Sequence, residues 1–160
     1  SFPTRRSSDL KLFVVSTTDQ VYVIDEPTEQ IEKVYNLKGA KGAISIAYAP
    51  EEKLLFVASQ STDNLQILDA TDGKLKADVK VGAGPLAVVW EPVRKLAYVA
   101  NRGSDSVAVV DVNGNLVANL PGGSYANHVF TDGKGTVWSV NKARGLNDPQ
   151  GDHISRYAAK

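Results

Sequence analysis

A segment of about 42 residues recurs along this chain, and this repeat constrains the fold more than any other feature. Leu54 and Leu96 lie 42 positions apart, as do Asp69 and Asp111. A period of about 40 to 50 residues with several short strands is typical of similar units arranged around an axis. The repeated segments are KLFVVSTTDQVYVID from Lys11, KLLFVASQSTDNLQILD from Lys53, KLAYVANRGSDSVAVVD from Lys95 and the more divergent GTVWSVNKARGLNDPQGDHISRYA from Gly135.

Four strands are predicted within each complete repeat. Residues 54–59 form a near-continuous apolar run, which is typical of a buried strand, whereas residues 74–81 alternate as half-exposed strands do. Asp-Gly and Asn-Gly pairs at 72–73, 113–114 and 132–133 predict tight hairpins, because these residues tolerate positive φ. The sequence therefore predicts an all-β protein without helices. Four antiparallel strands, A (innermost) to D, would make one blade of a β-propeller.

The predicted strands run BCD, ABCD, ABCD and ABC along the chain, which is about three and a half blades. The first ten residues share nothing with the repeat and resemble a translated sequencing adapter, so we expect residues 1–10 to be non-native. The chain has no methionine, which favours a lost N-terminus, and we expect the C-terminus to be genuine. Residues 11–160 would form a partial propeller with blade repeats at approximately 11–42, 43–85, 86–125 and 126–160.

Two strand sequences resemble those of the YVTN-repeat (YncE-like) propeller family. The B strand is represented by KLAYVAN at 95–101, and the C strand by VYVID at 21–25 and VAVVD at 107–111. The resemblance extends from Lys11 to the end of the chain and concerns architecture more than activity. It implies a seven-bladed ring, of which this chain would be the C-terminal part, and a location in the periplasm or at the cell surface.

Composition narrows the possible activities. Lys plus Arg equals Asp plus Glu at 18 each, so no overall field draws polyanions to the surface. The absence of cysteine excludes disulfides, thiolate metal sites and a cysteine nucleophile. We find no phosphate-binding glycine loop, nucleophile elbow, zinc-ligand spacing or haem attachment sequence. We therefore assign no catalytic residue, metal ligand or cofactor, and no apolar run is long enough to cross a bilayer.

The candidate binding residues lie in the B-to-C and D-to-A connections, the loops that usually carry ligand sites in propellers. We expect Arg102, Lys142 and Arg144 to gather on this face as a basic rim, and Tyr125 could stack on a ring or base. Such a rim could bind an anionic ligand. Because acidic residues are interleaved with these cations, the sequence favours a solvated charged surface over such a site.

His128 and its neighbour Asn127 are the other candidates, because they interrupt an apolar strand. We expect His128 to occupy the position in strand A that Ile46 and Val88 hold in the other blades. It would then be either a ligand or proton-transfer group at the central channel, or a hydrogen-bonded histidine between blades. The aromatic residues at the ends of successive A strands are expected in register between blades: Tyr48, Trp90 and Phe130.

The sequence thus predicts a non-enzymatic binding or scaffold module whose partner is a small molecule or a protein at the propeller face. One alternative is a lactonase-like hydrolase with its key residues on blades outside this sequence. Another is single-stranded nucleic-acid binding on the basic rim, which the balanced charge disfavours. Because a partial ring leaves sheet edges and faces open, we expect residues 11–160 alone to be oligomeric, aggregated or partly folded.

Overall fold

The fold is given by a computed structural model that describes residues 10–158. Residues 1–9, which belong to the segment predicted to be non-native, and residues 159–160 lie outside the described range. Between Leu10 and Ala158 there is no helix, and hence none that could cross a membrane. The strands are β1 (Lys11–Ser16), β2 (Gln20–Asp25), β3 (Gln30–Asn36), β4 (Ala43–Ala49), β5 (Leu54–Ser59), β6 (Asn64–Asp69), β7 (Leu75–Lys80), β8 (Pro85–Glu91), β9 (Leu96–Asn101), β10 (Ser106–Asp111), β11 (Leu116–Pro121), β12 (Ala126–Thr131), β13 (Thr136–Asn141) and β14 (Ile154–Ala158).

The strands form four antiparallel sheets in chain order. The first contains β1-β2-β3, the second β4-β5-β6-β7, the third β8-β9-β10-β11 and the fourth β12-β13-β14. Strand β8 lies against both β4 and β12, as the innermost strands of adjacent blades do. The predicted order BCD, ABCD, ABCD, ABC and the all-β propeller architecture are confirmed.

The hydrophobic core lies between successive sheets. Phe56 on β5 and Trp90 on β8 are both buried, and their stacked rings are 5.1 Å apart between the second and third sheets. Leu55 and Val57, the neighbours of Phe56, pack instead toward the first sheet, because successive side chains of a strand point to opposite faces. Strand β5 is therefore covered on both faces, which explains its continuous apolar sequence.

The inner strand of the fourth sheet is displaced by one residue relative to the sequence alignment. Trp90 pairs with Ala97, seven positions later, whereas Thr131 pairs with Val137, six positions later. Counted between these paired residues, the turn after β12 has five residues (132–136), whereas the turn after β8 has six (91–96). Because the alignment followed strand B, it placed every residue of β12 one position out of register.

The prediction that Phe130 is in register with Trp90 and Tyr48 is consequently wrong. Thr131 holds that position. A one-residue shift moves a side chain to the other face of a sheet, and Phe130 stacks on Trp138 at 5.2 Å on the face turned away from the third sheet. Phe130 is 45% exposed there, since no other sheet within residues 10–158 covers this face.

An aspartate with positive φ holds each of the first three sheets to the next one. Asp63, between β5 and β6, has φ 53°. Its carboxylate accepts the Gly84 N–H at 2.8 Å, just before the next inner strand, and its carbonyl accepts the Val81 N–H of its own sheet at 3.1 Å. Asp19 and Asp105 bind in the same way: their carboxylates accept the N–H groups of Ala43 and Tyr125.

Replacing Asp63 with alanine should therefore lower the free energy of unfolding by about 2–4 kcal/mol. The change leaves the Gly84 N–H without its acceptor and places an alanine in the left-handed region, each of which costs about 1–2 kcal/mol. Asp63→Asn is the matched control, since asparagine keeps an acceptor oxygen and tolerates positive φ. This substitution should lower the free energy of unfolding by less than about 1 kcal/mol. Urea unfolding followed by circular dichroism measures both. Equal losses would show that charge, not geometry, makes Asp63 stabilising.

Candidate functional site

Tyr125 has an unusual backbone conformation at the start of the fourth sheet. It immediately precedes β12 and has φ 50°, where the corresponding residues before β4 and β8 are Gly42 and Gly84, with φ 69° and 59°. The correspondence is set by hydrogen bonds: the carbonyls of all three accept an N–H from the following B-to-C loop. A bulky residue in this region costs about 1–3 kcal/mol and is often associated with function.

The Tyr125 ring contacts two arginines that come from different sheets. Arg102 follows β9 in the third sheet, and Arg144 follows β13 in the fourth. Each guanidinium carbon is 4.8 Å from the centroid of the ring. At this distance a guanidinium is attracted to the π face of tyrosine by about 0.5–1 kcal/mol when exposed. The structure thus brings three of the predicted binding residues, Arg102, Arg144 and Tyr125, into direct contact.

Two aspartates order one side of this stack. The Asp105 carboxylate accepts the Tyr125 N–H at 2.9 Å and forms an ion pair with Arg144. The Asp148 carboxylate accepts the N–H groups of Arg144 and Gln150, each at 2.9 Å. These hydrogen bonds, that of Arg144 first, lower the pKa of Asp148 below its usual 3.8. Arg144 is thus fixed both through its backbone and through its guanidinium.

Lys142 joins this site through its backbone. Its N–H donates to the Tyr125 carbonyl at 3.2 Å, just as the Arg102 N–H donates to Gly84 at 3.0 Å. Lys142 therefore occupies in the fourth sheet the position that Arg102 occupies in the third. Its side chain is exposed.

His128 and Asn127 lie apart from the stack, and the predicted position of His128 is wrong. His128 pairs with Val140 and corresponds to Ser45 and Ala87 in the other sheets. The position of Ile46 and Val88 is taken instead by Val129. The corresponding pairs are Val129 with Ser139, Val88 with Val99 and Ile46 with Val57. The shorter turn after β12 is again the reason. The His128 side chain is exposed, and its Nδ1 is 3.5 Å from the Asn127 Nδ2.

The sequence missed Asp105 and the strain at Tyr125. A signal for Asp105 was present, since Asp19, Asp63 and Asp105 recur at the same place before strand C. The position of Tyr125 could have been compared with Gly42 and Gly84, which also precede strand A. Within residues 10–158, no cluster of three or more His, Asp or Glu side chains is arranged to hold a metal ion.

Antiparallel sheets packed in series, with B-to-C and D-to-A loops joined at one end, define a β-propeller. Comparison with models of known protein families finds no match, and no curated protein matches the chain. Among solved structures, 1036 chains match, so the fold by itself does not select a function. One is "Kuenenia stuttgartiensis Hydrazine Synthase", with a TM-score of 0.82 and 18% identity. The match covers 95% of this chain and 44% of that one, and at this identity it shows the fold alone.

Proposed function

We propose that this chain belongs to a non-enzymatic binding propeller of the YVTN-repeat (YncE-like) type, exported to the periplasm or cell surface. Its ligand site would be the Tyr125 stack, that is, Tyr125 with Arg102 and Arg144. The observation that carries the proposal is the backbone of Tyr125, which has a φ of 50° at a position that Gly42 and Gly84 hold in the two preceding sheets. Strain of this kind persists where the surrounding contacts hold it and the side chain is useful.

A binding role fits the groups that the stack presents. The two guanidinium groups offer hydrogen-bond donors, and together with the phenol ring they form planar surfaces on which a ligand can bind. The carboxylate of Asp105 is engaged by the Tyr125 N–H and by Arg144, and that of Asp148 by two backbone N–H groups. Carboxylates held in this way support the stack and are poorly placed to accept a proton from a substrate.

Replacing Tyr125 with glycine tests the proposal. The change removes the ring and also relieves the strained backbone, so the stability should change by no more than about 1 kcal/mol, because the lost cation–π contacts and the relieved strain offset each other. A panel of fragment-sized compounds in neutral, cationic and anionic subsets would be screened by ligand-observed saturation-transfer NMR. We expect the compounds that bind the unmodified chain to lose their signal with Tyr125→Gly.

Leu146→Gly is the control, because it removes an exposed side chain from the same loop as Arg144. Compounds bound at the stack should retain their signal with this variant. If no compound depends on Tyr125, or if both variants lose the same compounds, the Tyr125 stack is not the ligand site.

A further inference from the structure

The two arginines of the Tyr125 stack lie at the same distance from the ring, but only Arg144 is paired with a carboxylate. Arg144 has a carboxylate partner in Asp105. The guanidinium carbon of Arg102 is also 4.8 Å from the centroid of the Tyr125 ring. However, Arg102 makes no ion pair and no side-chain hydrogen bond with the part of the chain from Leu10 to Ala158. Its side chain is exposed, and its guanidinium carbon lies over the ring. Arg102 is therefore a pre-oriented donor without an acceptor.

Asp105 shows how this stack receives a carboxylate. One oxygen of Asp105 pairs with Arg144, and the other accepts the Tyr125 N–H. A carboxylate bound to a guanidinium in this way makes charge-assisted hydrogen bonds, which are about twice as strong as neutral ones. A carboxylate from a ligand could make the same kind of contact with Arg102.

Lys142 supplies a second cation beside the same tyrosine. Its N–H is bonded to the Tyr125 carbonyl, and its ammonium group makes no ion pair within the described residues. Lys142 and Arg102 are corresponding residues of adjacent sheets, and the backbone of Lys142 and the guanidinium of Arg102 both contact Tyr125. Two uncompensated cations at neighbouring positions match a ligand with two negative charges.

We propose that the Tyr125 stack binds a small dicarboxylate, with one carboxylate on the Arg102 guanidinium and the other on the Lys142 ammonium. This inference rests on the proposed function only in placing the ligand at Tyr125. The arginine contact is the specific one, because the planar fork of Arg102 matches a carboxylate in a way that a lysine does not. Lys142 adds attraction for the second charge.

The test is isothermal titration of the complete chain with succinate, acetate and succinamide at low ionic strength. Succinate should bind more tightly than acetate, and neutral succinamide should not bind. Arg102→Gln should weaken succinate about tenfold or more, because it removes a charge-assisted hydrogen-bond pair. Lys142→Gln should reduce the affinity for succinate to that for acetate and leave acetate unchanged. Arg102→Lys should behave more like Arg102→Gln than like the unmodified chain.

Lys38→Gln is the matched control, since Lys38 is an exposed cation in another D-to-A loop of the same face. Its effect on succinate should stay within about twofold. An equal effect of Lys38→Gln and Arg102→Gln, binding of succinamide, or inorganic phosphate that outcompetes succinate would overturn the dicarboxylate assignment. If neutral compounds still bind in a Tyr125-dependent way while succinate does not, only this inference fails and the proposed function stands.

Discussion

Replacing Phe56 with alanine is expected to lower the free energy of unfolding by about 3–5 kcal/mol, the range for large-to-small changes of a buried aromatic residue. Phe56 is fully buried and stacks on Trp90 across the interface between the second and third sheets. Since small domains are stable by about 5–15 kcal/mol in all, this single change should remove a large part of the total. Urea denaturation followed by tryptophan fluorescence measures the loss.

Phe130→Ala provides a control with identical chemistry. Phe130 also stacks on a tryptophan, Trp138, at nearly the same ring distance, but it is 45% exposed on the open face of the fourth sheet. Its loss should cost about 1 kcal/mol or less, because little apolar surface returns to water. A cost equal to that of Phe56→Ala would mean that another surface covers the fourth sheet in solution.

The chain is also expected to self-associate at micromolar concentration. The first and fourth sheets each turn one face away from the other sheets of the described chain, and apolar side chains on these faces are 39% to 67% exposed. Contiguous exposed apolar surface favours association. Size-exclusion chromatography with light scattering should show oligomers or aggregates. The residues concerned are Leu12, Val14, Ile31 and Val34 on the first sheet and Phe130 and Ile154 on the fourth.

A pair of lysine substitutions identifies the surfaces responsible. Val34→Lys combined with Ile154→Lys places a charge on each open face and should shift the population toward monomer. Leu75→Lys combined with Leu116→Lys is the control, because these leucines are similarly exposed but lie on the outer strands of complete four-stranded sheets. The control should leave the association unchanged. The role of the open faces would be contradicted if the unmodified chain were a monomer. It would also be contradicted if both pairs of lysine substitutions shifted the population toward monomer equally.

The strands and their turns could be predicted from the sequence because their signals are local. Continuous apolar runs marked the strands that are covered on both faces, such as β5, and alternation marked half-exposed ones. The glycines of the predicted hairpins, Gly73, Gly114 and Gly133, have φ values of 74°, 86° and 68°. A glycine is suited to such a turn whatever the rest of the chain does. The blade architecture followed from the period of the repeat.

The register of β12 and the composition of the Tyr125 stack were decided only by the tertiary structure. A turn shortened by one residue leaves the apolar pattern almost intact, yet it shifts His128 and Phe130 by one position from where the alignment had placed them. Arg102, Tyr125 and Arg144 are separated by about 20 residues each in sequence and meet because adjacent sheets bring their loops together. Local propensity specifies which segments are strands. Contacts between blades then determine which side chains share a site, and these depend on packing across distant parts of the chain.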